Sequence, residues 1–102
     1  MDETEFHSLA GAVLAGIEED LEYADQDGLL EIEVTGGVVT LSLNDGKQYV
    51  ISKHAPTRQI WLSSPVSGAH HFVYDAANAR WVLPDGRELR ALLDGELAPV
   101  IA

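Results

Sequence analysis

The hydrophobic period changes twice along this chain, and that change limits the available folds more than any single motif does. Phe6, Leu9, Ala10, Val13, Leu14, Ile17 and Leu21 recur at three- and four-residue spacing, the stripe of a helix with one buried face. Asp2, with Glu5 three residues on, gives it a capping-box-like start. From Leu29 the period falls to two. Leu29–Thr35 alternates Leu30, Ile32 and Val34 with Glu31 and Glu33, and Gly36-Gly37 turns the chain into Val38–Asn44. Asp45-Gly46 is a second hairpin signal, into Lys47–Lys53, where Tyr49 and Ile51 are the inward pair. Pro56 interrupts before Arg58–Ser64, and Pro65–Gly68 leads into Ala69–Asp75 and the short strand Arg80–Leu83. The helical period then returns with Leu89, Leu92, Leu93 and Leu97, opened by Asp85-Gly86 with Asp85 and Glu88 at capping-box spacing, and closed by Pro99.

Every strand connection is too short for a parallel crossover, so the sheet should be antiparallel. Two helices and one sheet, each with one apolar face, have one economical arrangement. The expected fold is an α+β two-layer sandwich, both helices on one face of a roughly six-stranded antiparallel sheet. Its 102 residues make one compact domain, 1–102, with no internal repeat.

Charge is distributed just as unevenly. The first 46 residues hold twelve Asp or Glu and no Lys or Arg, a formal −12, whereas the remainder sets six basic residues against five acids, or +1. Glu18, Glu19, Asp20, Glu22 and Asp25 crowd the last turns of the first helix, where the negative end of the macrodipole disfavours anions. Glu18–Glu22, Glu19–Glu22 and Glu22–Asp25 are like-charge neighbours, each costing on the order of 0.2–0.5 kcal/mol. An acidic helix is ordinarily a solvated face that keeps a small protein soluble. Acids at the wrong end of a helix, with no base near in sequence, favour instead a cation-binding ridge. Oxygen-only, partly solvated and dispersed, it suits weak, exchangeable binding of hard cations such as iron or manganese.

A net charge of −11 argues against a nucleic-acid or anionic-membrane partner. No apolar run is long enough to span a bilayer, and no charged-then-apolar leader occurs, so the expected location is the cytosol, or an organelle if a transit peptide once preceded Met1. Without cysteine there is no disulfide framework, thiolate nucleophile or thiolate metal ligand. G-x-S-x-G, P-loop, G-x-G-x-x-G and H-E-x-x-H patterns are absent. Asp25-Gln26-Asp27-Gly28 resembles an EF-hand fragment, but the frame puts Tyr23 first and Val34 twelfth, neither a ligand. His70 and His71 point to opposite sheet faces, and His7 and His54 read as plain surface residues.

The fourth strand stands out. With Ile60 and Leu62 facing the helices, Gln59, Trp61 and Ser63 lie on the open face. Phe72 and Tyr74 go inward on the next strand, which puts His71 and Val73 outward beside Trp61, while Trp81 reads as core. A Trp on a flat wet face is either a cross-strand stiffener or an interaction hot spot; the latter is favoured here.

The element order, the acidic first helix and the run from Lys53 through Gln59-Ile60-Trp61-Leu62-Ser63-Ser64-Pro65 to Gly68 closely resemble the frataxin family, called CyaY in bacteria, over essentially the whole chain. Trp81-Val82, Asp85-Gly86 and Leu92-Leu93 fit the same pattern. The resemblance implies a role in iron–sulfur cluster assembly, with Fe(II) and Fe(III) held on the ridge. Mapped here, the ridge is Glu18, Glu19, Glu22, Asp25, Asp27, Glu31 and Glu33, and the family's sheet surface is Ser52, Lys53, Gln59 and Trp61, with Ser63 and His71 beside it. The implied partners are a cysteine desulfurase and its scaffold protein, whose rate the family changes in either direction. The opening at Met1 looks bacterial, the Trp61 strand closer to the mitochondrial form. Thr57 stands where an Asn often follows the Pro, and His71 where a basic residue often lies.

The chain stops soon after the second helix, so the groove between the helices should keep exposed apolar surface and stability should be modest. Three functions remain open: a non-enzymatic iron-binding regulator, expected as a monomer with iron-dependent oligomers left open; an iron-storage or ferroxidase protein that assembles into oligomers; and an acidic adaptor whose metal binding is incidental.

Overall fold

The computed structural model describes residues 1–101. Helix α1 (Glu3–Ala24) starts where Asp2, still extended, turns its carboxylate to accept the Glu5 amide at 2.7 Å. Phe6, Ala10, Leu14, Ile17 and Leu21 form its buried stripe. Six strands follow: β1 (Leu30–Thr35), β2 (Val38–Leu43), β3 (Gln48–His54), β4 (Gln59–Ser64), β5 (Gly68–Asp75) and β6 (Arg80–Val82). They pair in sequence order, every neighbour antiparallel. Helix α2 (Leu89–Ile101) closes the fold.

One apolar core joins the layers. Leu41, Tyr49, Ile51, Ile60, Leu62 and Phe72 point up from the sheet to meet the α1 stripe and Leu89, Leu93 and Leu97 of α2. Trp81 is buried with its ring edge-on to Phe6, centroids 5.9 Å apart. The opposite sheet face has no helix on it. The expected two-layer α+β architecture is therefore the one observed.

Two local expectations need correction. Asp85 does not cap α2; its carboxylate accepts the Arg87 amide and closes the preceding turn. Glu88 is the cap, its two oxygens accepting from the amides of Arg90 and Ala91 at 2.7 and 3.1 Å. The longer Glu side chain reaches back from the residue just before the helix, so the signal was one motif too early. Pro99 also fails to end α2, which runs on to Ile101. A proline fits helical φ, and the carbonyl it leaves without a donor belongs to Gly95, on an exposed turn open to water.

A further element, a single 3₁₀ turn at Ala55–Thr57, lies between β3 and β4, where Pro56 had marked only a break. It leaves Arg58 in the left-handed region at φ 55°. Between the last turns of α1 and α2 lies an open groove of about 460 Å³, lined by Leu21, Ala24, Leu97, Ala98 and Ile101. Asp20 and Arg90 sit on the same groove and form an ion pair across it.

Candidate functional site

The acidic ridge is built by three consecutive elements. On α1, 100° per residue places Glu18, Glu22 and Glu19 within one arc of about 100°. Glu19 and Glu22 are exposed and Glu18 is half-buried, facing Val34, Gly37 and Lys53 across a small cleft. Asp27 is exposed in the loop that follows. Glu31 and Glu33 stand exposed on β1, the edge strand, but on the open face of the sheet, away from the helices.

Asp25 does something different from its neighbours. Its two carboxylate oxygens accept the amides of Leu29 and Leu30 at 2.8 and 2.7 Å, and its own amide donates to the Leu21 carbonyl. It folds the chain from α1 into β1 and is half-buried in doing so. Gly28, at φ 66°, supplies the left-handed step the turn needs.

Among the described residues no three His, Asp or Glu side chains converge to hold one metal ion. The ridge is a spread of carboxylates along an edge, not a chelate. Its electrostatics are equally distinctive. Lys47 pairs with Asp45, Arg80 with Asp75, Arg87 with Asp85 and Arg90 with Asp20. Not one of these acids belongs to the seven on the ridge. Arg90 also reaches the Gly16 carbonyl, and Gly16 permits that approach, since a Cβ there would lie 3.2 Å from the guanidinium.

The second surface is the open face of the sheet. Register aligns Thr35, Val38, Ser52, Trp61 and His71 in one row across five strands, with Glu33, Thr40, Val50, Ser63 and Ala69 in the next. Trp61 is flanked by short side chains except at two places. His71 stacks on its indole at 4.3 Å between centroids and 12° between planes, and His54 stacks at 3.7 Å and 11°. A hydrogen-bond chain fixes the column: Trp61 Nε1 and Thr57 Oγ1 both donate to Gln59 Oε1, at 2.9 and 3.0 Å. Because the Thr57 hydroxyl donates there, it accepts from His54 Nδ1 at 2.7 Å. The neutral His54 ring therefore carries its proton on Nδ1 and leaves Nε2 as an acceptor.

His54 was missed as a member of this face. The available signal was parity: it shares a strand face with Ser52, and the 3₁₀ turn pairs it with Gln59, diagonal to Trp61. Lys53 departs from the expected grouping. It pairs with the buried Ile60 and so points to the helix side, against Gly37 and near Glu18. Adjacent strand residues cannot share a face.

A third polar group lies on the helix side. Glu96 of α2 accepts hydrogen bonds from Tyr49 at 2.9 Å and from Ser64 and Ser67 at 2.5 Å each, and Ser67 also meets His70 Nε2 at 2.8 Å. Burial alone would push the Glu96 carboxyl up, but these hydroxyls and the neighbouring His70 outweigh it and hold it below the usual carboxylate range. Burial first, then the hydrogen bond and charge of Glu96, push the Tyr49 phenol up to about 12. This cluster ties α2 to the β4–β5 turn.

Two helices on one face of a six-stranded antiparallel meander, with a carboxylate edge free of ion pairs and a largely half-buried aromatic column on the open face, make a small α+β domain. The chain belongs to the family of the frataxin-like domain, whose model matches residues 1–102. It is similar to the frataxin of Psychromonas ingrahamii, a CyaY-family protein, at 26% identity and a TM-score of 0.84, over 95% of this chain and 89% of that one. It is also similar to trimeric frataxin from the yeast Saccharomyces cerevisiae complexed with ferrous iron, at 35% identity and a TM-score of 0.70, over 99% of this chain and 87% of that one. A second trimeric yeast frataxin structure, with its full-length N-terminus, matches at 36% identity and a TM-score of 0.74, over 91% of this chain and 78% of that one.

Proposed function

We propose that this protein binds Fe(II) and Fe(III) weakly on the acidic ridge. We further propose that it docks through the Trp61 face on a cysteine desulfurase and its iron–sulfur scaffold protein, supplying iron or setting the assembly rate. The observation that carries the ridge half is the absence of pairing. Four of the six basic residues are matched to acids elsewhere, and all seven ridge acids are left without one. Carboxylate oxygens suit a hard cation, and their dispersal favours ions that exchange over ions that are stored. The yeast relative complexed with ferrous iron supports the choice of metal. Within the ridge, Glu18, Glu19, Glu22, Asp27, Glu31 and Glu33 have oxygens to offer, while Asp25 spends both of its own on the backbone.

On this reading the protein acts as a regulator and not as a catalyst. The test is the rate of cluster formation on the scaffold protein by its desulfurase, with and without this chain. A reproducible change that disappears with Trp61→Ala supports the reading, and its sign separates activator from inhibitor. No change at saturating protein and iron would leave only iron handling on the ridge.

A second reading, iron storage with ferroxidase activity, draws on the trimeric state of the yeast relatives. It expects iron-dependent oligomers and oxygen consumption with Fe(II). A monomer at every iron ratio would reject it.

A further inference from the structure

The column of His54, Trp61 and His71 has a property the proposed docking role does not use. Two of its three members are imidazoles, the one common side chain whose ordinary protonation equilibrium lies between about pH 5 and 8. The imidazoles come from β3 and β5, the strands on either side of β4, so they cover the two faces of one indole. Anything that covers Trp61 must also cover them.

Nothing nearby buffers that change. On the open face β3 contributes Gln48, Val50 and Ser52 besides His54, and β4 contributes Gln59 and Ser63, all uncharged. Val38, Thr40 and Ser42 of β2 are uncharged as well. On β5, Asp75 is already paired with Arg80 of β6 at 3.5 Å. The Pro84–Arg87 loop shares a small cavity with His71, but its Asp85 and Arg87 are paired with each other at 2.8 Å. Arg58, just after the 3₁₀ turn, donates to the neutral Ala55 carbonyl and stays a fixed positive charge, and Lys53 points to the other face. Glu31 and Glu33 are on β1, two strands from His54, and Glu33 aligns with Val50, four residues along β3 from it. At the usual strand spacing and rise that is about 16 Å, beyond a Debye length of roughly 8–10 Å. The two imidazoles are therefore the variable charges of this face, added to the fixed positive charge of Arg58.

We propose that docking on this face is proton-linked: His54 and His71 must be neutral for Trp61 to be covered, and the group that meets His54 is a hydrogen-bond donor. The inference rests on the docking reading above. Two physical effects give it one sign. Covering a charged imidazole removes it from water and favours the neutral form. In addition, the Thr57 hydroxyl accepts the Nδ1–H hydrogen bond of His54, so the neutral ring offers Nε2 as an acceptor; protonation turns that acceptor into a donor and repels the N–H it had engaged. A partner that also approaches the acidic ridge carries basic, donor-rich groups, so both surfaces select the same chemistry.

The test compares binding of the desulfurase–scaffold complex at about pH 7.5 and about pH 5.5, for the wild type, His54→Gln, His71→Gln and the double variant. A displacement of one pKa unit on covering corresponds to a tenfold change, so the wild-type affinity should fall by roughly tenfold on acidification. The double variant, which cannot be protonated there, should show a ratio near one whatever affinity it retains, with the single variants between. Tryptophan emission gives a second reading without any partner. A stacked imidazolium quenches indole more than a neutral ring does, so wild-type emission should drop on acidification and the double variant's should not. Docking whose pH ratio persists in the double variant would overturn the inference and leave the docking reading intact, and a wild-type emission unchanged across this range would also overturn it. Failure of the wild type to dock at about pH 7.5 would remove the docking reading and this inference with it.

Discussion

Glu96 and the ridge acids are the same kind of group treated in opposite ways. Glu96 is half-buried and engaged by three hydroxyls. The ridge carboxylates, Asp25 apart, lie without an ion pair or a hydrogen-bonded anchor among the described residues, some against the wrong end of a helix dipole. The fold can satisfy a carboxylate when it uses one for stability. On the ridge it leaves charge unsatisfied, and a bound cation is what would relieve it. The Trp61 column is a third case: Trp61 Nε1, Gln59, Thr57 and His54 Nδ1 satisfy one another, so these side chains stand fixed before any partner arrives, which lowers the ordering cost of binding, while His54 Nε2 stays open.

The largest expected effect separates the two proposed surfaces. Trp61→Ala should weaken docking by 2 kcal/mol or more, the scale of an aromatic hot spot, with iron uptake on the ridge essentially unchanged. Calorimetric titration of each ligand against the variant checks this; equal loss of both would merge the surfaces into one.

Glu96→Ala should come next, on stability alone. It strands the buried Tyr49 hydroxyl and releases the β4–β5 turn, at about 1–3 kcal/mol, read by urea unfolding without iron. The same cluster sets two pH limits. Because the Glu96 pKa is lowered on folding, its contribution is complete above the unfolded carboxylate value and disappears as pH falls through the lowered one. The Tyr49 pKa is raised to about 12, so its contribution holds below the unfolded phenol value near 10 and is lost as pH rises towards 12. Tyr49→Phe should flatten the alkaline arm of a stability–pH curve and shrink its acid arm without removing it, since Ser64 and Ser67 still hold Glu96; an unchanged alkaline arm would place that loss elsewhere.

Glu22→Gln should have the smallest effect on stability and the opposite sign. It removes three like-charge neighbours at once and should stabilise the iron-free protein by several tenths of a kcal/mol, while weakening ferrous binding. A variant less stable than the wild type would show that the ridge is compensated after all.

Much of this was legible from the chain. The change of period from 3.6 to 2 and back located the first helix and all six strands to within a residue or two, and the second helix with both ends about three residues early, since each element has one wet and one dry face. Parity along β4 and β5 was enough to place Trp61, Ser63 and His71 together on the open face. What parity could not give was anything that depends on a diagonal or a distant partner. His54 reaches Trp61 only because Ala55–Thr57 winds into a 3₁₀ turn, and Lys53, adjacent to Ser52, had to face away from it.

The sequence alone determined the two-layer fold and the segregation of charge into the first 46 residues, because both follow from local spacing and composition. Only the tertiary structure decided which charges are matched. Arg90 lies seventy residues from Asp20 in the chain yet pairs with it, Glu96 is held by residues of β3, of β4 and of the turn after it, and the ridge acids form no ion pair among the described residues. Coulomb interactions and hydrogen bonds act over a few ångströms of space whatever the separation along the chain, so their pairing is fixed only when the layers close.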